Sequence, residues 1–219
     1  MGSMSRAAAL AAAAFVGLQT ADAGFVYSAS ARSVSAITPS FSDSGSTAGL
    51  GSWFDSAFAS SAGASALANQ GSDLGASSIG LVGAGQALGA AGASASGGSF
   101  LDATFVAMSD DGSATLDVNW IVGLSQTLGG TGTSTVFIKV TDVTLNTVRL
   151  MLSNNANASG TLTMISGNTY RIEATASSNA VGVGNAYSSF NGNFSIVPGP
   201  ASASLLALAG LTVARRRRR

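Results

Sequence analysis

Small or apolar residues alternate with polar ones along much of the chain, and a period of two is the mark of a half-buried strand. Phe25 to Ile37 alternates in this way, which predicts a strand that Pro39 ends. Phe41 to Gly51 reads as loop. Trp53, Phe54 and Phe58 form the first dense aromatic group, and Phe54 and Phe58 share a face either as a strand or as a helical turn. From Ala57 to Gly97 nearly every residue is Ala, Ser or Gly. Side chains that small predict a poorly filled core, so this stretch is expected to form weak strands with flexible connections, or to be partly disordered.

The second half is patterned more sharply. Phe100 to Met108 is a predicted strand closed by Ser109-Asp110-Asp111-Gly112. Thr115 to Val122 follows, with Leu116, Val118, Trp120 and Val122 on one face and Asp117 and Asn119 on the other. Gly129-Gly130-Thr131-Gly132 reads as a loop, and Thr135 to Val140 and Thr147 to Leu152 as strands joined by a turn at Asp142 to Asn146. Thr161 to Ile165 is expected to pair with Asn168 to Ala174 across Ser166-Gly167. Ser178 to Ser188 reads as loose, and Ser189 to Val197 as a last strand. Short strands between turn sequences predict an all-β fold, an antiparallel β-sandwich of jelly-roll-like form. A β-solenoid is the alternative, but no fixed repeat supports it.

Both ends depart from this pattern. Arg6 precedes an almost wholly apolar stretch, Ala7 to Leu18, and then comes Ala21-Asp22-Ala23. A charged start, a short apolar core and an A-x-A site predict a secretory signal peptide, residues 1–23, cut between Ala23 and Gly24. At the other end Val197-Pro198-Gly199-Pro200 halts the last strand, because proline lacks an amide donor. An uncharged Ala/Leu-rich run, 201–214, follows and predicts a membrane helix. Arg215, Arg216, Arg217, Arg218 and Arg219 come last and should stay on the cytoplasmic side.

The prolines, apolar run and terminal arginine cluster together resemble the PEP-CTERM sorting signal of bacterial exported proteins. Gly199 stands where the family's usual Pro-Glu-Pro has its glutamate. The resemblance covers residues 198–219 and the Val197 before them. It implies export, transient residence in the inner membrane through the C-terminal helix, and tail removal by an exosortase-type enzyme. The product would lie at the cell surface or in the extracellular matrix.

Charge changes the picture of the body between these signals. It divides into a low-complexity part, 24–99, and a better-patterned part, 100–197. Its basic residues are Arg32, Lys139, Arg149 and Arg171. Nine acids oppose them, for a net charge of about −5, although the whole chain is neutral. A mildly acidic body does not favour nucleic acid as a partner. The chain has no Cys, so no disulfide, and no His, so the commonest general base and metal ligand are missing. No serine lies in a Gly-x-Ser-x-Gly elbow, and Gly83-Ala84-Gly85 lacks the spacing of a phosphate-binding turn. These gaps argue against an enzyme.

Two weaker candidates remain. Asp110, Asp111 and Asp117 could offer oxygen ligands to Ca²⁺, though turn aspartates without an ion explain them as well. Trp120 and Tyr187 could stack on sugar rings if they lined one exposed face. The expectation is a non-enzymatic exported envelope or matrix protein without a required cofactor. A carbohydrate-binding module facing extracellular polysaccharide, to which calcium could contribute, is the alternative.

Overall fold

A computed structural model describes residues 23–110 and 112–198. Every regular element in it is a strand. In chain order they are β1 (Gly24–Thr38), β2 (Phe41–Thr47), β3 (Gly51–Ser61), β4 (Ala64–Leu74), β5 (Ser78–Gly89), β6 (Ser94–Met108), β7 (Thr115–Asp142), β8 (Thr147–Ser153), β9 (Ala156–Ile165) and β10 (Thr169–Ile196). All strand pairs are antiparallel. The all-β class is therefore as the alternation predicts. The ten strands form one sheet nearly closed into a barrel. The predicted signal peptide up to Asp22 and the predicted C-terminal helix lie outside the described residues.

Two long strands explain the shape. β7 and β10 have 28 residues each and pair along almost their whole length. The first part of β10, Thr169 to Val181, pairs with β6, and its last part, Gly184 to Ser195, pairs with β5. β7 divides in the same way: its start pairs with β9 and its end with β8. The ladder between β7 and β10 shifts register between Ala180 and Gly184. Gly182 (φ 69°) and Gly130 (φ 58°) take left-handed backbone angles there, which side chains other than glycine rarely tolerate. The sheet thus folds over on itself at one end. One half runs β2, β1, β6, β10, β7, β8, and the other β3, β4, β5, β10, β7, β9. Two stretches read from the sequence as loop or loose, 129–132 and 178–188, contain this bend inside continuous strands, and a third, Phe41 to Gly51, is mostly strand β2, which pairs with β1.

The two halves enclose cores of different character. Away from the bend the interior holds Phe25, Phe105, Tyr170, Phe190 and Phe194 with Leu, Ile and Val neighbours. Phe25 and Phe105 meet edge to face at 4.9 Å. Toward the bend the buried residues are Val34 and ten alanines, among them Ala66, Ala68, Ala87, Ala95 and Ala180. The layers converge here almost to backbone contact. A Cβ added at Gly97 would lie 2.4 Å from the Leu67 carbonyl oxygen, and one at Gly85 would lie 2.3 Å from the Gly97 oxygen. Facing sheets normally stand about 10 Å apart. The stretch expected to be weak or disordered is thus ordered strand whose small side chains match a narrow gap. β6 runs without a break through the expected boundary between 24–99 and 100–197.

Polar groups tie the layers together where apolar side chains run short. The Ser178 hydroxyl lies 2.8 Å from the Gly85 oxygen and 2.9 Å from the Ser188 hydroxyl. Gln70 is fully buried; with its amide nitrogen turned inward it donates to the Phe100 oxygen at 2.8 Å and the Ser33 oxygen at 3.2 Å. Arg32 is buried too. It donates to the Gly51 oxygen at 2.7 Å, the Ser72 hydroxyl at 3.0 Å and the Gly49 oxygen, and it covers the Trp53 ring. It holds the link between β2 and β3, where the barrel nearly closes. Across that seam the Phe58 amide donates to the Asp43 carboxylate at 3.0 Å.

One pairing differs from expectation. β9 does not form a hairpin with β10: its residues Thr161 to Ile165 pair with Asn119 to Thr115 of β7. Ser166-Gly167 does turn the chain, with Gly167 at φ 87°. It carries the chain from one half to the other, so Leu162 and Met164 face Tyr170 and Ile172 through the core rather than along a ladder.

Candidate functional site

The residues singled out from sequence do not converge. Gly24 opens β1 and is buried, Ala23 packs against the core, and Ala21 lies outside the described residues. The Val197 amide donates to the Asp117 oxygen at 2.9 Å, and Pro198 is exposed. Gly199, Pro200 and Arg215, Arg216, Arg217, Arg218 and Arg219 lie outside the described residues. So does Asp111. Asp110 sits just after β6. Asp117 is on the outer face of β7, where its carboxylate accepts from the Thr163 hydroxyl at 2.7 Å. Among the described residues no group of three or more His, Cys, Asp or Glu gathers around one point. Trp120 faces inward, with Gly160 beneath its ring, whereas Tyr187 faces outward. The two aromatics therefore lie on opposite faces of the sheet.

The outer surface divides by chemistry. On the half that contains β6 four charged residues pair with each other. Arg171 binds Asp102 through two contacts of 2.8 and 2.5 Å and reaches Glu173 at 3.2 Å; Lys139 meets Glu173 at 2.6 Å. The Asp102 hydrogen bonds hold the Arg171 guanidinium above its ordinary pKa, against a smaller opposing effect of burial. The chain's only lysine is thus engaged in an ion pair on the sheet surface, beside Arg171 and Glu173.

The other half carries a cleft of about 610 Å³ that crosses β4, β5, β10, β7 and β9. Asn69, Val82, Ser125, Asn157, Tyr187 and Asn191 line it. Strand alternation places them: Ala186, Ser188 and Phe190 point into the core, so Tyr187, Ser189 and Asn191 point out. Register then brings Asn191 beside Val82 on one side and Gly123 on the other, and Gly123 beside Asn157. Glycine at 123 leaves the surface low, and no charged side chain lines the cleft.

Sequence reasoning found Tyr187 but missed the asparagines. The outward alternation of Tyr187, Ser189, Asn191 and Asn193 was a usable signal; the partners on β4 and β9 depend on register and were not legible. No protein-family model, curated protein or solved structure matches the chain.

Proposed function

We propose that the protein is an exported, non-enzymatic component of the cell surface or extracellular matrix, delivered by its N-terminal signal and sorted through its C-terminal tail. One observation carries this reading. β1 begins at Gly24 and β10 ends at Ile196, so every strand among the described residues lies between the two positions at which the terminal signals would be cut. Cuts at these positions would break no strand pairing among the described residues. Val197 closes the last strand against β7, and the exposed Pro198 gives a processing enzyme a reachable start to the tail.

The exosortase-type enzyme and the transient membrane helix belong to the same proposal and rest on the PEP-CTERM resemblance. We read the folded-over sheet as a flattened, jelly-roll-like sandwich, since its two halves face each other across the core. The composition supports a structural rather than catalytic role: His and Cys are missing, and the single lysine stands in an ion pair.

The test is the intact mass and both terminal sequences of the protein recovered from cells that natively make it. The expected product starts at Gly24 and ends between Val197 and Pro200. A product that keeps Arg215 to Arg219 would overturn tail processing, and one that keeps Ala7 to Leu18 would overturn signal cleavage.

A further inference from the structure

The geometry points to the cleft across β4, β5, β10, β7 and β9 as a binding site for a neutral polysaccharide chain. This inference does not depend on how the termini are processed.

The first argument is unspent hydrogen-bonding capacity. Several outer-face polar side chains elsewhere on this half pair with their neighbours, as does Asn155 at the cleft's edge, whose side-chain oxygen accepts from the Gln126 amide at 2.6 Å. Thr161 donates to Asn119 at 2.9 Å, Thr163 to Asp117 at 2.7 Å, and Ser52 to Asp73 at 2.9 Å. In the cleft the side chains of Asn69, Asn157, Asn191 and Tyr187 make no hydrogen bond to any described residue. Each amide carries both donors and acceptors on one rigid plane, and sugar hydroxyls are likewise both. A row of amides therefore suits vicinal hydroxyls better than it suits a carboxylate or an ammonium group.

Tyr187 supplies the apolar half of the recognition. It is 39% exposed and its ring stands on the outer face within the cleft. An aromatic ring with a polar tip can cover the C–H face of a pyranose while its hydroxyl stays wet.

Charge selects the class. No charged group lines the cleft, Asp73 borders an adjoining depression, and the body carries about five more acids than bases. A polyanion would be repelled.

Length selects a chain over a monosaccharide. Two further depressions, of about 440 and 560 Å³, share Asn191 with the main cleft and widen it along the strands, one over β7 and β9 and the other over β4 and β5. The trough crosses five strands, hence four inter-strand gaps, or about 19 Å at the usual spacing of about 4.8 Å.

The test is affinity electrophoresis of the purified full-length chain in gels cast with laminarin, dextran, xylan or alginate. At least one of the three neutral polymers should retard the wild type, and alginate should not. Tyr187→Ala and Asn191→Ala should each weaken that retardation roughly tenfold, the loss expected from truncating a central contact. Gly123→Val should abolish it: a Cβ there would lie 2.9 Å from the Asn157 side-chain oxygen and fill the trough from the solvent side. Met151→Ala, on the outer face of the other half, should leave it unchanged. Circular dichroism and urea unfolding check that each variant is folded. Three results would each overturn the proposal: no retardation in any neutral polymer, retardation that survives Tyr187→Ala and Asn191→Ala, or stronger retardation in alginate.

Discussion

The two ends of the interior solve opposite problems. Away from the bend, the layers stand far enough apart to need filling, and five large aromatic side chains with their aliphatic neighbours fill the gap. Near the bend, the layers are so close that methyl groups suffice and at Gly85 and Gly97 even a methyl is too much. The first end is stabilised mainly by apolar area removed from water, about 25 cal/mol per Å². The second end buries little area per residue. It relies on backbone ladders and on the cross-layer bonds of Ser178, Gln70 and Arg32. Composition alone therefore misleads: a stretch of Ala, Ser and Gly can be the well-ordered floor of a wedge.

If the comparison is right, the ends should respond oppositely to volume. The largest effect expected is from Gly97→Val. Its side chain would run into the carbonyls of Leu67 and Gln86, which are backbone and cannot swing aside. Overpacking a core ordinarily costs about 1–3 kcal/mol, and a clash with backbone exceeds that. The variant should lose its cooperative urea transition; a wild-type midpoint would break the comparison. Phe105→Ala comes next. It empties space at the wide end and should cost about 3–5 kcal/mol, read from the urea midpoint at constant slope. Ala66→Gly is the matching deletion at the narrow end. It removes one methyl and adds backbone freedom, so about 1–2 kcal/mol is expected. A loss as large as that of Phe105→Ala would mean the narrow end is not narrow.

The legible part of this fold was whatever alternation could report. Val136, Ile138 and Val140 face inward with Phe137 and Lys139 opposite, as read from their spacing, and Asp142 to Asn146 does turn β7 into β8. Alternation is local, so it carried no information about how far apart the layers stand. That distance gives Ala57 to Gly97 its meaning. Nor could it separate a bend from a loop. Gly129 to Gly132 and Ser178 to Ser188 hold glycines for the same backbone reason in either case, and only the continuous pairing of β7 with β10 shows that the strands go on. The β9–β10 pairing was misjudged because Leu162 and Met164 share an inward face with Tyr170 and Ile172 whether they meet along a ladder or across a core. For the cleft, one strand's contribution was readable in Tyr187 and Asn191, but Asn69 and Asn157 join it from strands far away in sequence.

The smallest effect expected is in acid, and it sharpens the comparison because it should begin at the wide end. Among the described residues Asp142 is the only fully buried carboxylate, and it sits where β7 meets the start of β10. Burial alone would raise its pKa. The Leu145 amide at 3.0 Å, the Asn168 amide at 3.1 Å, the Tyr170 hydroxyl and the charge of Arg149 together outweigh burial and hold it below the ordinary value. A carboxyl depressed in the folded state adds stability that is complete above the unfolded pKa of about 3.9 and disappears as pH falls through the folded value. Urea midpoints should therefore stay level from pH 7 down to about 4 on this account and decline below it. Asp142→Asn should start lower and decline less. Amide exchange at low pH should rise first around Val140 to Leu145 and Tyr170, before the alanine strands near the bend. Exchange that opens the alanine end first would show that the narrow end, for all its close packing, is the weaker of the two.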